Sequence, residues 1–298
     1  MSRYYCWLAS VLVCLFLFSA PAELWGVSSP APPSRCAIKY PSDAGLEWEC
    51  QRLRARETLE TLFGSRWVDV ARFNRIDRRH AHPGISLKVP RRLEDIAGFT
   101  PMPQEYPLAV GEAKFILIDL TEQFLGAYEH GRLAFSVPIA TGERGNETPT
   151  GEFAITAAHR HHHSSRYTIE KTNTPYPMNY ALRFHISPVG NVYWIHGRDI
   201  PGYPASHGCI GLYDEPMQKK YYGYPHEPIL EDARTLYNWV LAPLPEDEKY
   251  RILDSGPRVL IVGQAPVPQR GSSRAHSSVK SAPHVPSGAQ HQLEGIVK

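Results

Sequence analysis

Asn191-Val192-Tyr193-Trp194-Ile195-His196-Gly197, then after a short Gly/Pro-containing stretch Ser206-His207-Gly208-Cys209-Ile210, is the segment whose reading decides this chain. Its first five residues read as a strand, which ends at His196-Gly197. Cys209 follows His196 by thirteen residues. A thiol is a strong nucleophile only as thiolate, and a neighbouring imidazole can hold it in that form as an ion pair. Gly197 and Gly208 leave room for a substrate and let main-chain N–H groups point at a developing oxyanion. The backbone amides of Gly208 and Cys209 are the candidate oxyanion donors. This pattern predicts nucleophilic cysteine chemistry, with Cys209 as nucleophile and His196 as base.

The runs outside this segment repeat one architecture. Ile116 to Leu120 followed by Gln123 to Tyr128 predicts a hairpin. Ala140-Thr141-Gly142 and Thr148-Pro149-Thr150-Gly151-Glu152-Phe153 predict turns, and Pro177 to Phe184 a strand. Short alternating runs broken by Gly, Asn, Pro and Thr indicate an all-β meander or sandwich rather than βαβ units. One helix is expected after the motif, with Ile229, Leu230, Ala233, Leu236, Tyr237 and Val240 on one face. Arg258 to Val262 closes the domain as a strand.

Together these stretches resemble the YkuD-type L,D-transpeptidases, the ErfK/YbiS/YcfS/YnhG-like group, over residues 107–263. The resemblance implies a mostly-β, sandwich-type catalytic domain with its nucleophile on a loop between strands. It also implies that the Gly197 carbonyl orients His196 and that His207 lies near the thiolate. The implied reaction is attack of Cys209 on a peptidoglycan tetrapeptide stem, release of D-alanine, and transfer of the acyl group to an amine. That amine belongs to a neighbouring stem or to an anchored envelope protein. Water as acceptor would make the chain an L,D-carboxypeptidase. Papain-like endopeptidases place Cys before His, the reverse of the order here. Tyr180, Arg183, Trp194, Arg198 and Ser206 are the candidate groove residues, with core packing the stronger reading for Tyr180 and Trp194 and an equal one for Arg183. The family commonly has Arg two residues after the nucleophile, where this chain has Gly211. If that cation recognises substrate, Arg183 or Arg198 is placed to replace it; if it is only a brace, neither is needed.

Residues 46–91 read as strand, helix, helix, strand, with Gly64 closing the first helix and Pro83-Gly84 as a turn. Thr58-Leu59, Ala71, Asn74, Pro83-Gly84 and Leu87-Lys88-Val89-Pro90 resemble a LysM domain, a βααβ module that binds N-acetylglucosamine-containing glycan strands. The usual Gly-Asp-Thr turn is here Arg56-Glu57-Thr58. A surplus of arginine (Arg52, Arg54, Arg56, Arg66, Arg72, Arg75, Arg78, Arg79) reads as a solvated face or a surface for an anionic wall polymer. A non-catalytic wall-binding protein on a degenerate scaffold is the reading from another class, and the retained Cys209 and His196 argue against it.

Composition is ordinary for a globular protein, 42% hydrophobic and 21% charged, and a net charge of +2 gives no reason to expect nucleic acid. Arg3, the apolar run Cys6 to Phe18 and Ala20-Pro21-Ala22 predict a cleaved signal peptide over residues 1–22, hence export to the periplasm or cell envelope. Its removal leaves Cys36, Cys50 and Cys209, an odd set that suggests one disulfide, Cys36 with Cys50, and one reactive thiol. Residues 264–298, rich in Ser, Pro, His and Gln, are expected to be a disordered tail. His159, His161, His162 and His163 are expected on an exposed strand or loop near the cleft. Adjacent imidazoles there point in different directions, so no metal and no cofactor is assigned.

Overall fold

Runs rich in β-branched and aromatic residues and punctuated by Gly, Asn and Pro form strands through most of residues 107–263. The computed structural model describes residues 34–243 and 249–267. The predicted signal peptide and all but the first residues of the predicted tail lie outside the described residues. In chain order, β1 (Trp48–Arg52), α1 (Leu59–Phe63), α2 (Trp67–Phe73) and β2 (Ser86–Pro90) come first, with β1 and β2 paired antiparallel. There follow β3 (Phe115–Asp119), β4 (Phe124–Glu129), β5 (Arg132–Pro138), β6 (Gly151–Ala154), β7 (Ala157–Thr168), β8 (Pro175–Ile186), β9 (Val192–Arg198) and β10 (Ile210–Tyr213). The chain then runs through α3 (Glu215–Tyr222), α4 (Asp232–Leu241), β11 (Arg251–Ile252) and β12 (Arg258–Val262).

Two five-stranded sheets, ordered β10-β9-β8-β7-β11 and β5-β4-β3-β12-β6, carry the larger part of the fold. Ile116, Ile118, Leu125 and Val259 from one sheet meet Leu182, Phe184, Ile195 and Ile210 from the other in a shared core. Ala233, Leu236, Tyr237 and Val240 of α4 pack into the same cluster. Ile229 and Leu230 were expected on that helix but precede it. Their N–H groups donate to the Glu215 carboxylate at 2.6 and 2.9 Å, which holds them outside the helical ladder.

The βααβ module shares its core with the catalytic part of the chain. Leu59, Val70, Phe73, Ile76 and Leu87 pack in one cluster with Ala140, Ile200, Tyr213 and Leu230. Arg52, Arg54 and Arg56 are solvent-exposed, but for Arg72, Arg75, Arg78 and Arg79 the structure corrects the reading of a solvated basic face. Arg78 forks onto Glu215, with Nε 2.7 Å from Oε1, and reaches Glu60 at 2.9 Å. Arg72 meets Asp232 at 2.7 Å and Arg79 meets Asp199 at 2.8 Å. Arg75 is wholly buried, ion-paired to Glu122 and flanked by the rings of Tyr40 and Phe124. Sequence could not foresee this because the partners lie far along the chain.

Arg56 has a left-handed φ of 71°. That is the conformation glycine adopts most easily. Cys36 and Cys50 form a disulfide whose closed loop lies at the edge of this module.

A buried pair loses most when one partner is removed, because the survivor stays desolvated. Glu215→Ala removes the buried carboxylate from Arg78, leaving it Glu60 and the Glu227 carbonyl, and also frees the Ile229 and Leu230 amides, so unfolding free energy should fall by about 3 kcal/mol. Glu47→Ala, whose partner Arg91 is solvent-exposed, should change it by less than about 1 kcal/mol. Urea denaturation of the two variants measures the contrast; equal small effects would contradict the buried-hub account.

Candidate active site

His196 and Cys209 are brought together by a parallel strand pair. In β9 and β10, Ile195 pairs with Ile210 and His196 with Gly211, so Cys209 enters the sheet beside Trp194. A parallel pair requires a long crossover, and residues 199–209 supply it. That loop is pinned from two sides. The Ile200 N–H donates to Asp77 of the N-terminal module at 2.6 Å. From the other side, Ala205 and Ser206 donate their N–H groups to Thr141 O, and Thr148 Oγ1 donates to Gly208 O at 2.9 Å. The Ala140-Thr141-Gly142 and Thr148 turns therefore hold the cysteine loop in place.

The His196 ring is buried, and its Nδ1 lies 2.8 Å from the Gly197 carbonyl oxygen. A carbonyl only accepts, so Nδ1 carries the proton and Nε2 presents a lone pair. Gly197 itself has no room for a side chain: a Cβ there would overlap the Asp214 carboxylate. Asp214 caps α3 through the Met217 N–H at 3.0 Å and accepts from Asn179 at 3.0 Å. Gly208 adopts φ 110°, and a Cβ would lie 2.6 Å from the Tyr193 ring. Both glycines of the motif are thus fixed by close approach.

Desolvation sets the protonation of the pair. Burial pushes the His196 imidazolium down to about 3, and the nearby Arg198 charge acts in the same direction. Burial raises the Cys209 thiol, against a main-chain hydrogen bond from Trp194 and the Arg198 charge. Burial thus favours neutral thiol and neutral imidazole over a thiolate–imidazolium ion pair, which leaves His196 to act as the base that generates the thiolate.

A cavity of about 620 Å³ opens onto Cys209 and His196. Trp194, Arg198, Ser206 and His207 line it, as do Tyr176 and Tyr193. His162 also reaches it, tilted against Trp194 with ring centroids 4.4 Å apart and held down to about 4 by burial and its histidine neighbours. The histidine run sits in the long strand β7 rather than in a loop. The far end of β7 brings Tyr167 over the site, stacked on the exposed His207 at 4.3 Å. His207 therefore contacts the β7–β8 hairpin.

Three expectations need correction. Arg183 does not line the cavity: its guanidinium bonds Thr156 Oγ1 at 3.0 Å and Tyr250 Oη at 2.8 Å. Tyr180 is not a groove residue either and takes its core-packing reading, against Tyr237 of α4. The Gly208 N–H is not open to an oxyanion, since it donates to Ser206 Oγ at 3.0 Å. Ser206 in turn donates to Cys209 O, so its hydroxyl shapes the loop. Sequence reasoning missed Tyr176, Tyr193, Tyr167 and His162 as cavity residues. The β7–β8 register that gathers three of them is a long-range pairing with no local signal.

The β-sandwich thus delivers one cysteine and one carbonyl-anchored histidine to a common cavity. Residues 113–267 match the YkuD family, the L,D-transpeptidase catalytic domain. The chain belongs to that family. Among solved structures it is similar to an L,D-transpeptidase (Yku) from Stackebrandtia nassauensis, with 21% identity, 68% of this chain and 69% of that chain covered, and a TM-score of 0.37. It is also similar to the L,D-transpeptidase (residues 123–326) from Xylanimonas cellulosilytica, with 22% identity, 65% and 79% covered, and a TM-score of 0.36. For L,D-transpeptidase 1 of Mycobacterium tuberculosis the values are 15%, 50% and 62%, and 0.33. The comparison with curated proteins finds no match.

Proposed function

We propose that this chain is an exported peptidoglycan L,D-transpeptidase with Cys209 as nucleophile and His196 as base. The observation that carries the reading is the His196 Nδ1 to Gly197 O bond, which leaves Nε2 as the basic nitrogen of a ring that lines the same cavity as Cys209. Cys209 Sγ attacks the carbonyl of the L-centre of a diaminopimelate residue in a tetrapeptide stem as His196 Nε2 takes the thiol proton. The tetrahedral intermediate collapses, the C–N bond breaks, and His196 returns the proton to the departing D-alanine amine. An amine of a neighbouring stem or anchored protein, deprotonated by His196, then attacks the thioester and regenerates the thiol. With the Gly208 N–H engaged by Ser206, the Cys209 N–H is the main-chain donor offered to the oxyanion.

Export is supported by the signal-like N-terminal sequence and by the Cys36–Cys50 disulfide, a bond that persists in oxidising compartments. The LysM-like reading of residues 46–91 is supported by the βααβ order with its two strands paired. Titration with an N-acetylglucosamine oligomer tests whether the module binds glycan; no heat of binding would leave it as a brace for the cysteine loop.

The neutral resting pair has a pH consequence. Below its pKa, the thiolate fraction of a raised thiol climbs about tenfold per pH unit. Alkylation of Cys209 by iodoacetamide should therefore rise log-linearly from about pH 6 to about pH 9. An ion pair would instead give a plateau through neutrality. The alkylation rate read by intact mass decides between them.

A further inference from the structure

Arg198 is the last residue of β9 and pairs with Tyr213, yet its side chain lies over Gly211. A Cβ at position 211 would overlap Arg198 Cγ and Cδ. The guanidinium stem thus leans back along β10 toward Cys209, in a channel that exists only because residue 211 has no side chain. Its head lines the Cys209 cavity. Among the described residues it makes a long hydrogen bond from Nη2 to Ala205 O at 3.3 Å. Nε is buried and has no partner among the described residues. A guanidinium carries five N–H donors in a planar fork that matches a carboxylate, and this one leaves most of that capacity unused. Tyr176 lines the same cavity, and its buried hydroxyl proton has no acceptor among the described residues. The other cavity-lining arginine, Arg166, bonds Asn191 at 3.4 Å from an exposed position.

We infer that Arg198, housed over Gly211 and assisted by the Tyr176 hydroxyl, is the subsite for the free carboxylate of the leaving D-amino acid. The inference rests on the transpeptidase reading above. The carboxylate is one residue beyond the scissile carbonyl, so a cation at the nucleophile's side of the cavity can bind it while Cys209 attacks. Gly211 and Arg198 then act as one unit: the glycine makes the space, and the arginine fills it with charge.

The test compares a disaccharide-tetrapeptide ending in a free carboxylate with the same compound C-terminally amidated. D-Alanine or D-alaninamide release is followed for the purified protein and its variants. The parent should prefer the acid by about 10- to 100-fold in kcat/KM, the range for a charge-assisted pair, mostly through KM. Arg198→Gln should bring that ratio near unity, and Arg198→Lys should keep part of it. Gly211→Ala, which expels the side chain, should behave like Arg198→Gln. Thermal melts accompany each variant. A lowered melting temperature in Arg198→Gln with the acid-to-amide ratio intact would overturn the inference and make Arg198 a brace. A parent that releases neither product would overturn the donor reading itself, and this inference with it.

Discussion

Cys209→Ala should abolish D-alanine release from a disaccharide-tetrapeptide while leaving the fold in place. Covalent catalysis has no route without the sulfur, because nothing else in the cavity can form the acyl intermediate at neutral pH. The nearest hydroxyl on the loop, Ser206, already donates to Cys209 O and is tied to the Gly208 N–H. Structurally the change is small. The loop is held by Thr141, Thr148 and Asp77 rather than by the thiol. Unfolding free energy should stay within about 1 kcal/mol of the parent. Mass-spectrometric product analysis with a parallel melt checks both halves; release near the parental rate would contradict the assignment.

His196→Ala should slow acylation by roughly 100- to 10,000-fold, the span of a positioned general base. With the thiol raised by burial, very little thiolate forms spontaneously, so the base matters more than it would beside a preformed ion pair. His207→Ala should cost much less. That ring is exposed and stacks on Tyr167, and its removal loosens the hairpin contact without removing a proton acceptor. Single-turnover acylation of the two variants separates the roles. Equal losses would mean that the proton is not taken by His196 alone, and a larger loss at His207 would move the role there.

The sandwich and the placement of Cys209 were legible because strand alternation and glycine punctuation are local signals. The α4 face was legible for the same reason, except at Ile229 and Leu230, where the distant Glu215 carboxylate overrides apolar spacing. The arginine-rich module misled for a related cause. Arg78 and Glu215 are 137 residues apart, and no periodicity marks them as a pair. The protonation of the pair was not legible, because an imidazole can hold a thiol as an ion pair while burial favours the neutral forms of both. The oxyanion donors were half legible: the Gly-Cys amides are in the motif, but Ser206 capturing one of them is a matter of loop geometry. Arg183 and Arg198 were equivalent candidates in sequence. The fold separates them, tying one to Thr156 and Tyr250 and laying the other over Gly211.

The most direct test of the central claim is the covalent intermediate. The parent protein, incubated briefly with tetrapeptide stem and no acceptor amine, is acid-quenched and read by intact mass and peptide mapping. The account predicts an adduct equal to the stem less its terminal alanine, attached to Cys209 and absent from Cys209→Ala. D-Alanine release with no adduct at Cys209, or an adduct on another residue, would contradict it.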